Sequence, residues 1–328
     1  MKTKVLELLK ETDGYVSGQD ICNMLGVSRT AVWKVIGKLK EEGYDIEAVK
    51  NKGYRMLKSP DILSKSEIEC CLNIPYNVIY FDDIDSTNNY AKLIAEQGQS
   101  DKTIVVADHQ RRGKGRRGRS FISLAGVGAF MTFLLRPDIH PAKASMLTII
   151  AAMAVRDAVE KVASIKCKIK WPNDIISDGK KICGILTEMS SEIEHINYVV
   201  VGIGVNINND SFPDEIKDVA TSIKIELENN NMESDKINRN EIVAKIIESF
   251  DYYYEEFLKN QNLSSIKDEY NSHLVNLNAE VFVLKGDDSY RAVAKGIDET
   301  GELIVEKDGK LQKVMSGEVS VRGVYGYV

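Results

Sequence analysis

The stretch DHQRRGKGRRGRSF, residues 108–121, packs five arginines, one lysine and three glycines into fourteen positions of a 328-residue chain whose net charge is −6. Apolar runs flank it, KTIVVADHQ before and GVGAFMTFLL after, so it reads as a loop between two strands. Glycines at 113, 115 and 118 let the backbone fold round a ligand and turn its amides inward as an anion-binding nest. From composition alone three readings stay open: the phosphates of a small molecule, a nucleic acid backbone, or a solvated basic loop. A Walker loop is excluded, because no Gly-Lys-Ser/Thr follows at the required spacing.

The loop sits in a chain of ordinary soluble composition, 43 % hydrophobic and 28 % charged, long enough for two or three domains. The N-terminus lacks the apolar core and small-residue cleavage site of a signal peptide. The longest mostly apolar segment, ASMLTIIAAMAV (144–155), is too short to span a bilayer and reads as a buried helix. The expected location is the cytoplasm, with no membrane partner. Five cysteines without a Cys-x-x-Cys pair, and only four histidines, argue for free thiols rather than a zinc site. Charge is unevenly spread. Residues 1–60 hold eleven basic and eight acidic side chains, +3, and the remainder 32 against 41, −9. One segment, the first, is therefore suited to nucleic acid.

That segment reads as a winged helix-turn-helix, residues 1–60. Ser17 and Asp20 form an N-terminal capping pair, Ile21, Met24 and Leu25 an apolar stripe, and Gly26 a stop. Ser28 caps a second helix with Ala31, Val32, Val35, Ile36 and Leu39 on one face. Two short helices joined by LGVS make the motif, with the second as recognition helix. Two alternating strands then flank Lys50-Asn51-Lys52-Gly53, a basic wing tip. Ser28, Arg29 and Thr30 lie where side chains reach base edges, with Lys34 and Lys38 exposed beyond them. Lys50 and Lys52 suit phosphate. Gly18 is counted in the same face. Trp33 is equally suited to packing and to DNA. The competing reading is a helical module that contacts only protein. LKSPDILSKSE follows as a linker.

The central region, residues 61–271, mixes strands and few helices, which suggests α+β with a mixed sheet. DSTNNYAKLIAEQG (85–98) and residues 144–163 read as helices; IKCKIKW, KKICGILTEM and NYVVVGIGVNIN read as strands. KWPND (170–174) ends a strand with a rigid proline and a polar turn. Its lysine, amide and carboxylate could address a nucleotide and its magnesium, or form an ordinary loop over a packed Trp171. Lys181 opens a strand, either solvent-facing or placed over a phosphate. Residues 272–328 read as short strands with hairpin turns at ETGE and KDGK.

Taken together, Asp85-Ser86-Thr87-Asn88, Gln110, the 113–119 loop, Lys170-Trp171-Pro172-Asn173-Asp174, Lys181 with Gly184, and GIGVNIN (202–208) resemble the biotin protein ligases in order and spacing. With a winged helix in front, the chain is similar to the bifunctional bacterial members that also repress the biotin operon. The resemblance covers nearly the whole chain. It implies activation of biotin by ATP to biotinyl-5′-AMP, then transfer to a lysine of a biotin carboxyl carrier protein, with Mg2+ accompanying ATP. No Ser/His/Asp set is needed, since the substrates bring their own nucleophiles, and none is evident; charge neutralisation and orientation must do the work.

By position, the resemblance places Ser86, Thr87, Asn88, Gln110, Gly113, Lys114, Gly115, Arg116, Lys181 and Gly184 at biotin. It places Arg116, Arg119, Phe121, Lys170, Asn173, Asp174, Lys181 and Asn206 at ATP, with Asp174 at magnesium. Lys181, Arg116 and Arg119 are the implied catalytic cations. Phe121 stands where the family often has Trp, and Lys114 where it often has Arg, keeping charge but losing a bidentate fork. The resemblance further implies a C-terminal SH3-like barrel, with Arg322 toward nucleotide or carrier or simply at the surface. It also implies a loop that orders round the adenylate, and a homodimer of adenylate-bound chains pairing two winged helices on a two-fold operator. Three other readings stand beside it: a lipoate or octanoate ligase, a biotin-sensing repressor without catalysis, and a loop that itself binds nucleic acid.

Overall fold

The computed structural model describes residues 1–60, 62–232, 237–285, 288–316 and 320–323, the last four and residues 285 and 288 by backbone alone. The first module holds helices α1 (Lys2–Glu11), α2 (Gly18–Leu25) and α3 (Arg29–Glu41), then strands β1 (Asp45–Val49) and β2 (Gly53–Lys58). The caps are those expected. Ser17 accepts from the Asp20 amide at 3.0 Å and Ser28 from Ala31 at 3.3 Å, and Gly26 is left-handed. Val5, Leu6, Ile21, Val32, Ile36 and Leu39 form the module's core. The wing returns against the start of α2: Val16 and Tyr54 exchange two backbone hydrogen bonds of 2.9 Å. A Cβ on Gly53 would fall 2.0 Å from the Val16 carbonyl, so only glycine fits there.

The module rests on α4 (Lys65–Cys71). Glu67, buried in α4, accepts from the Tyr44 hydroxyl at 2.6 Å and pairs with Lys10. Buried polar groups of this kind are favourable only when satisfied, and here two partners satisfy one carboxylate.

The central domain carries β3 (Asn77–Ile84), α5 (Thr87–Glu96), β4 (Thr103–Gln110), β5 (Gly128–Leu135), α6 (Met146–Ala163), β6 (Lys168–Lys170), β7 (Asp174–Ser177), β8 (Lys180–Ser191), β9 (Ile196–Asn206), α7 (Ile223–Asn229), α8 (Arg239–Asn260) and α9 (Lys267–His273). Its seven strands run β3-β4-β5-β9-β8-β7-β6, with β3 and β4 parallel and every other pair antiparallel. The sheet is therefore mixed, as expected. One face is covered by α6 and α8 over the main core, in which Phe133 and Phe250 stack at 4.1 Å. The other is covered by α5 through Ala91 and Ile94 against Val105 and Leu134. The strand expected at IKCKIKW is short, three residues, because the chain turns at Trp171 to pair β6 with β7. The 22-residue α8 and the strand β3 have no counterpart among the sequence expectations.

The C-terminal strands β10 (Glu280–Lys285), β11 (Asp288–Ile297), β12 (Leu303–Lys307), β13 (Lys310–Val314) and β14 (Ser320–Gly323) form one antiparallel sheet, ordered β13-β12-β11-β10-β14. It docks on the central domain where the buried Trp171 indole donates to Gly301 O at 3.1 Å. The side chain of Arg322 lies outside the described residues.

Candidate functional site

The site forms where the N-terminus of α5, the end of β4, the glycine-rich loop and the middle of β8 and β9 converge. Ser86 occupies the N-cap of α5, yet its hydroxyl caps no helix amide, and it lines the pocket. The next residue, Thr87, directs its N–H to Gln110 Oε1 at 2.9 Å. A helix N-terminus offers unsatisfied amides and positive potential, the right end to present to a polar ligand.

The loop closes on itself as a narrow hairpin. Phe121 N donates to Gly113 O at 2.9 Å and Gly115 N to Arg119 O at 2.7 Å. Any side chain on Gly113 would meet Phe121 O at 2.3 Å, so this glycine serves the hairpin rather than the pocket wall. Arg117 takes a left-handed conformation, φ 56°. That turn sends Arg116 back inward, where its guanidinium donates to Asn173 Oδ1 at 2.9 Å and to the Ser316 carbonyl of the C-terminal domain. Burial, then the neighbouring Arg117 charge, lower the Arg116 pKa, against the pull of Asp174. A half-desolvated arginine beside a second cation is a strong lure for an anion.

The floor is made of glycines. A Cβ on Gly204 would lie 2.6 Å from the Phe121 ring, and one on Gly184 would lie 2.8 Å from Lys181 Nζ. Phe121 thus lies flat over bare backbone, with Lys181 5.9 Å from its ring centroid. Lys181 Nζ reaches Asp174 Oδ1 at 2.6 Å, and Asn173 Nδ2 reaches the same oxygen at 3.1 Å and Ile185 O at 3.1 Å. Among the described residues no cluster of three or more His, Cys, Asp or Glu could cage a metal.

Of the residues expected at the two ligands, Ser86, Thr87, Asn88, Gln110, Lys114, Gly115, Arg116, Phe121, Asn173, Lys181 and Gly184 line one pocket. Asp174 joins them through Lys181. Asn206 does not: its amide is committed to Thr221 O at 3.1 Å. Lys170 is buried outside the lining and Arg119 is exposed on the hairpin. Missed from the sequence were Met131, Ile185 and Leu186 on the walls, while Gly202, Ile203 and Gly204, noted there only within GIGVNIN, also line the pocket. Gly202 and Gly204 alternate in β9, a pattern that could have marked a strand whose bare face meets a ligand.

On the first module, Ser28, Arg29, Thr30, Lys34, Lys38, Lys50 and Lys52 are all exposed. Arg29 donates twice to Gln19 Oε1, at 3.0 and 2.8 Å, which holds its head over the start of α2. Gly18 lies half-buried beneath the Tyr54 ring in a groove shared with Arg29, Lys50 and Lys52. Trp33 is 67 % exposed, so it packs in no core.

Three family profiles tile the chain: an HTH domain over residues 2–55, the Biotin/lipoate A/B protein ligase family over 80–206, and the Biotin protein ligase C terminal domain over 277–322. The bifunctional ligase/repressor BirA of Bacillus spizizenii is 38 % identical over 327 residues, 98 % of each chain. That of Salmonella typhimurium is 30 % identical over 93 % of each. The solved biotin protein ligase of Aquifex aeolicus in complex with biotin and ATP superposes with a TM-score of 0.64 at 29 % identity, covering 75 % of this chain and 99 % of that one.

Proposed function

The chain belongs to the biotin protein ligases, in their bifunctional ligase/repressor form, and from that premise we propose how its residues carry the two activities. The enzyme activates biotin with ATP and passes it to a lysine of a biotin carboxyl carrier protein. In the first step a biotin carboxylate oxygen attacks the α-phosphorus of ATP, the P–O bond to the β-phosphate breaks, and pyrophosphate leaves. In the second the carrier amine attacks the acyl carbon, AMP leaves, and the amine loses its proton as the amide forms.

Neither step needs a protein nucleophile. The observation that carries the reading is the convergence of Arg116, Lys181 and Asn173 on one pocket that Ser86, Thr87 and Gln110 also line. Hydroxyls and an amide suit a ureido ring, and the cations suit the carboxylate and phosphate. Lys181 and Arg116 would spread the charge that grows on the phosphate, with Arg119 reaching in from the hairpin when ATP is bound. Lys114, Gly115, Asn88 and Gly184 would shape the biotin end; Phe121 and Asn173 would hold the nucleotide. Lys170 and Asn206 would act from behind, since their side chains lie off the lining. Asp174 fits a magnesium ion that arrives with ATP: it is one carboxylate beside an amide, the donor set of a substrate-carried ion rather than a resident one. Magnesium there would supply counter-charge to the phosphates.

The winged helix binds operator DNA as a repressor. Arg29 and Thr30 would read base edges, while Lys50 and Lys52 would touch phosphate. The adenylate-bound chain would pair as a homodimer, matching a two-fold operator. No helix among the described residues is long and apolar enough to cross a membrane, and we assign the protein to the cytoplasm.

The test is ATP·Mg-dependent transfer of labelled biotin to an apo carrier domain, with lipoate in parallel. Transfer of biotin alone supports the reading. Transfer of lipoate would move the protein to the sister activity, and biotin binding without transfer would make it a sensor.

A further inference from the structure

The recognition helix α3 turns to solvent a face that the fold does not use. Val32, Val35, Ile36 and Leu39 are buried in the module's core. At about 100° per residue, Thr30, Trp33, Lys34 and Gly37 fall on the opposite side. Trp33 is exposed there, an indole left in water where the module gains nothing from it.

Gly37, one turn further on, is out of place by the same standard. Apart from proline, glycine is the poorest helix former, so in mid-helix it needs a reason. Its φ is not left-handed, and a Cβ built on it would meet nothing within 4 Å, the Trp33 ring included. Neither the backbone nor packing within the chain calls for glycine. Helical side chains lean toward the N-terminus, so a side chain at this position would cover the turn that carries Trp33. Its absence leaves bare backbone beside the indole, the shape that admits a close partner.

The charge around this face decides the partner. Helix α3 carries Arg29, Lys34, Lys38 and Lys40, all exposed, against the single acid Glu41, and the wing adds Lys50 and Lys52. A second copy would bring like charges together here, whereas a duplex brings phosphates. The major groove admits a helix and shows it hydrogen-bonding edges and one kind of apolar group, the thymine 5-methyl. Contact between indole and methyl takes both out of water.

We propose that Trp33 reads a thymine 5-methyl in the major groove, and that Gly37 is bare so that α3 seats deeply enough to bring the indole there. The inference rests on the operator-binding reading above and deepens it: it adds a specificity-determining residue and names the base that residue selects.

The experiment starts from the duplex that the full chain, with biotin and ATP·Mg, retains best from a random pool. Its thymines are replaced one at a time by deoxyuridine, which keeps every hydrogen-bonding edge and removes only the methyl. Wild type should lose at least about 3-fold in affinity at one thymine, the worth of one buried methyl. Trp33→Gln should bind the thymine and uracil forms of that position equally, with an unchanged melting temperature. Gly37→Ala should melt no lower than wild type, since alanine favours the helix, yet bind the duplex at least about 5-fold more weakly. If the uracil loss persists in Trp33→Gln, another residue reads the methyl and the proposal fails. It fails equally if Gly37→Ala binds as tightly as wild type. If no uracil substitution matters to wild type, as for an indole set on phosphate or wedged between base pairs, the proposal is overturned while the repressor reading stands. A wild type that retains no duplex overturns both.

Discussion

Lys181 Nζ lies 2.6 Å from Asp174 Oδ1, so the cation offered to an incoming anion is already countered by a carboxylate. The pair is partly exposed, and such pairs contribute roughly 0–1 kcal/mol, small enough for a ligand to break. Asp174→Asn removes the competitor. Biotin alone should then bind up to about 5-fold more tightly, while ATP·Mg binds more weakly. Titration of the variant with each ligand checks both halves; equal loss for both ligands would mean that Asp174 only supports the fold.

The glycine floor gives a second expectation. Gly204→Ala puts a methyl 2.6 Å from the Phe121 ring. The ring must leave its seat on the sheet, and adenylate formation should fall by at least about 10-fold with little change in melting temperature, since the strand pairing is untouched. Steady-state kinetics beside a thermal melt would show whether the loss is local.

Lys50 and Lys52 project from the wing tip. Removing both should weaken DNA binding across all sequences and reduce the slope of log affinity against log salt by about 2. Biotinylation should be unaffected. Gel shifts over a salt series measure the slope, and an unchanged slope would place the wing off the DNA.

His273 sets a pH dependence. It sits against the Arg156 guanidinium in the structure. Burial, then the Arg156 charge, lower its pKa below 6.5 despite the acids nearby. The folded state therefore binds the proton less readily than the unfolded chain. Stability from this group is full above 6.5 and is lost as pH falls from there through the folded value. Denaturation at pH 7.5 and pH 5.5 should show a larger acid loss in wild type than in His273→Gln.

What could be read from the chain was what is local. Ser17, Gly26 and Ser28 cap helices through contacts within three or four residues, so the winged helix was legible to its turns. The 113–119 loop and KWPND carry their chemistry in consecutive residues. That Asn206 lies off the pocket lining was not legible, because the partner that holds it is Thr221 O, from a segment the pattern does not connect to it. Thr132 reads as one more β-branched strand residue and Glu188 as one more exposed acid; only the pairing of β5, β9 and β8 brings both to Asn88. The 22-residue α8 hid its role likewise. Its buried Arg239 pairs with Asp108 at the start of the opening loop and donates to Gly128 O at 3.1 Å, clamping the loop's two flanking strands.

The central claim, that Lys181 and its neighbours adenylate biotin, is met most directly by following biotinyl-5′-AMP by mass in the absence of carrier, in wild type and Lys181→Ala. The account predicts accumulation in wild type and a rate reduced about 100- to 1,000-fold in the variant, with biotin binding still measurable. Formation of the adenylate at the same rate in both would contradict it.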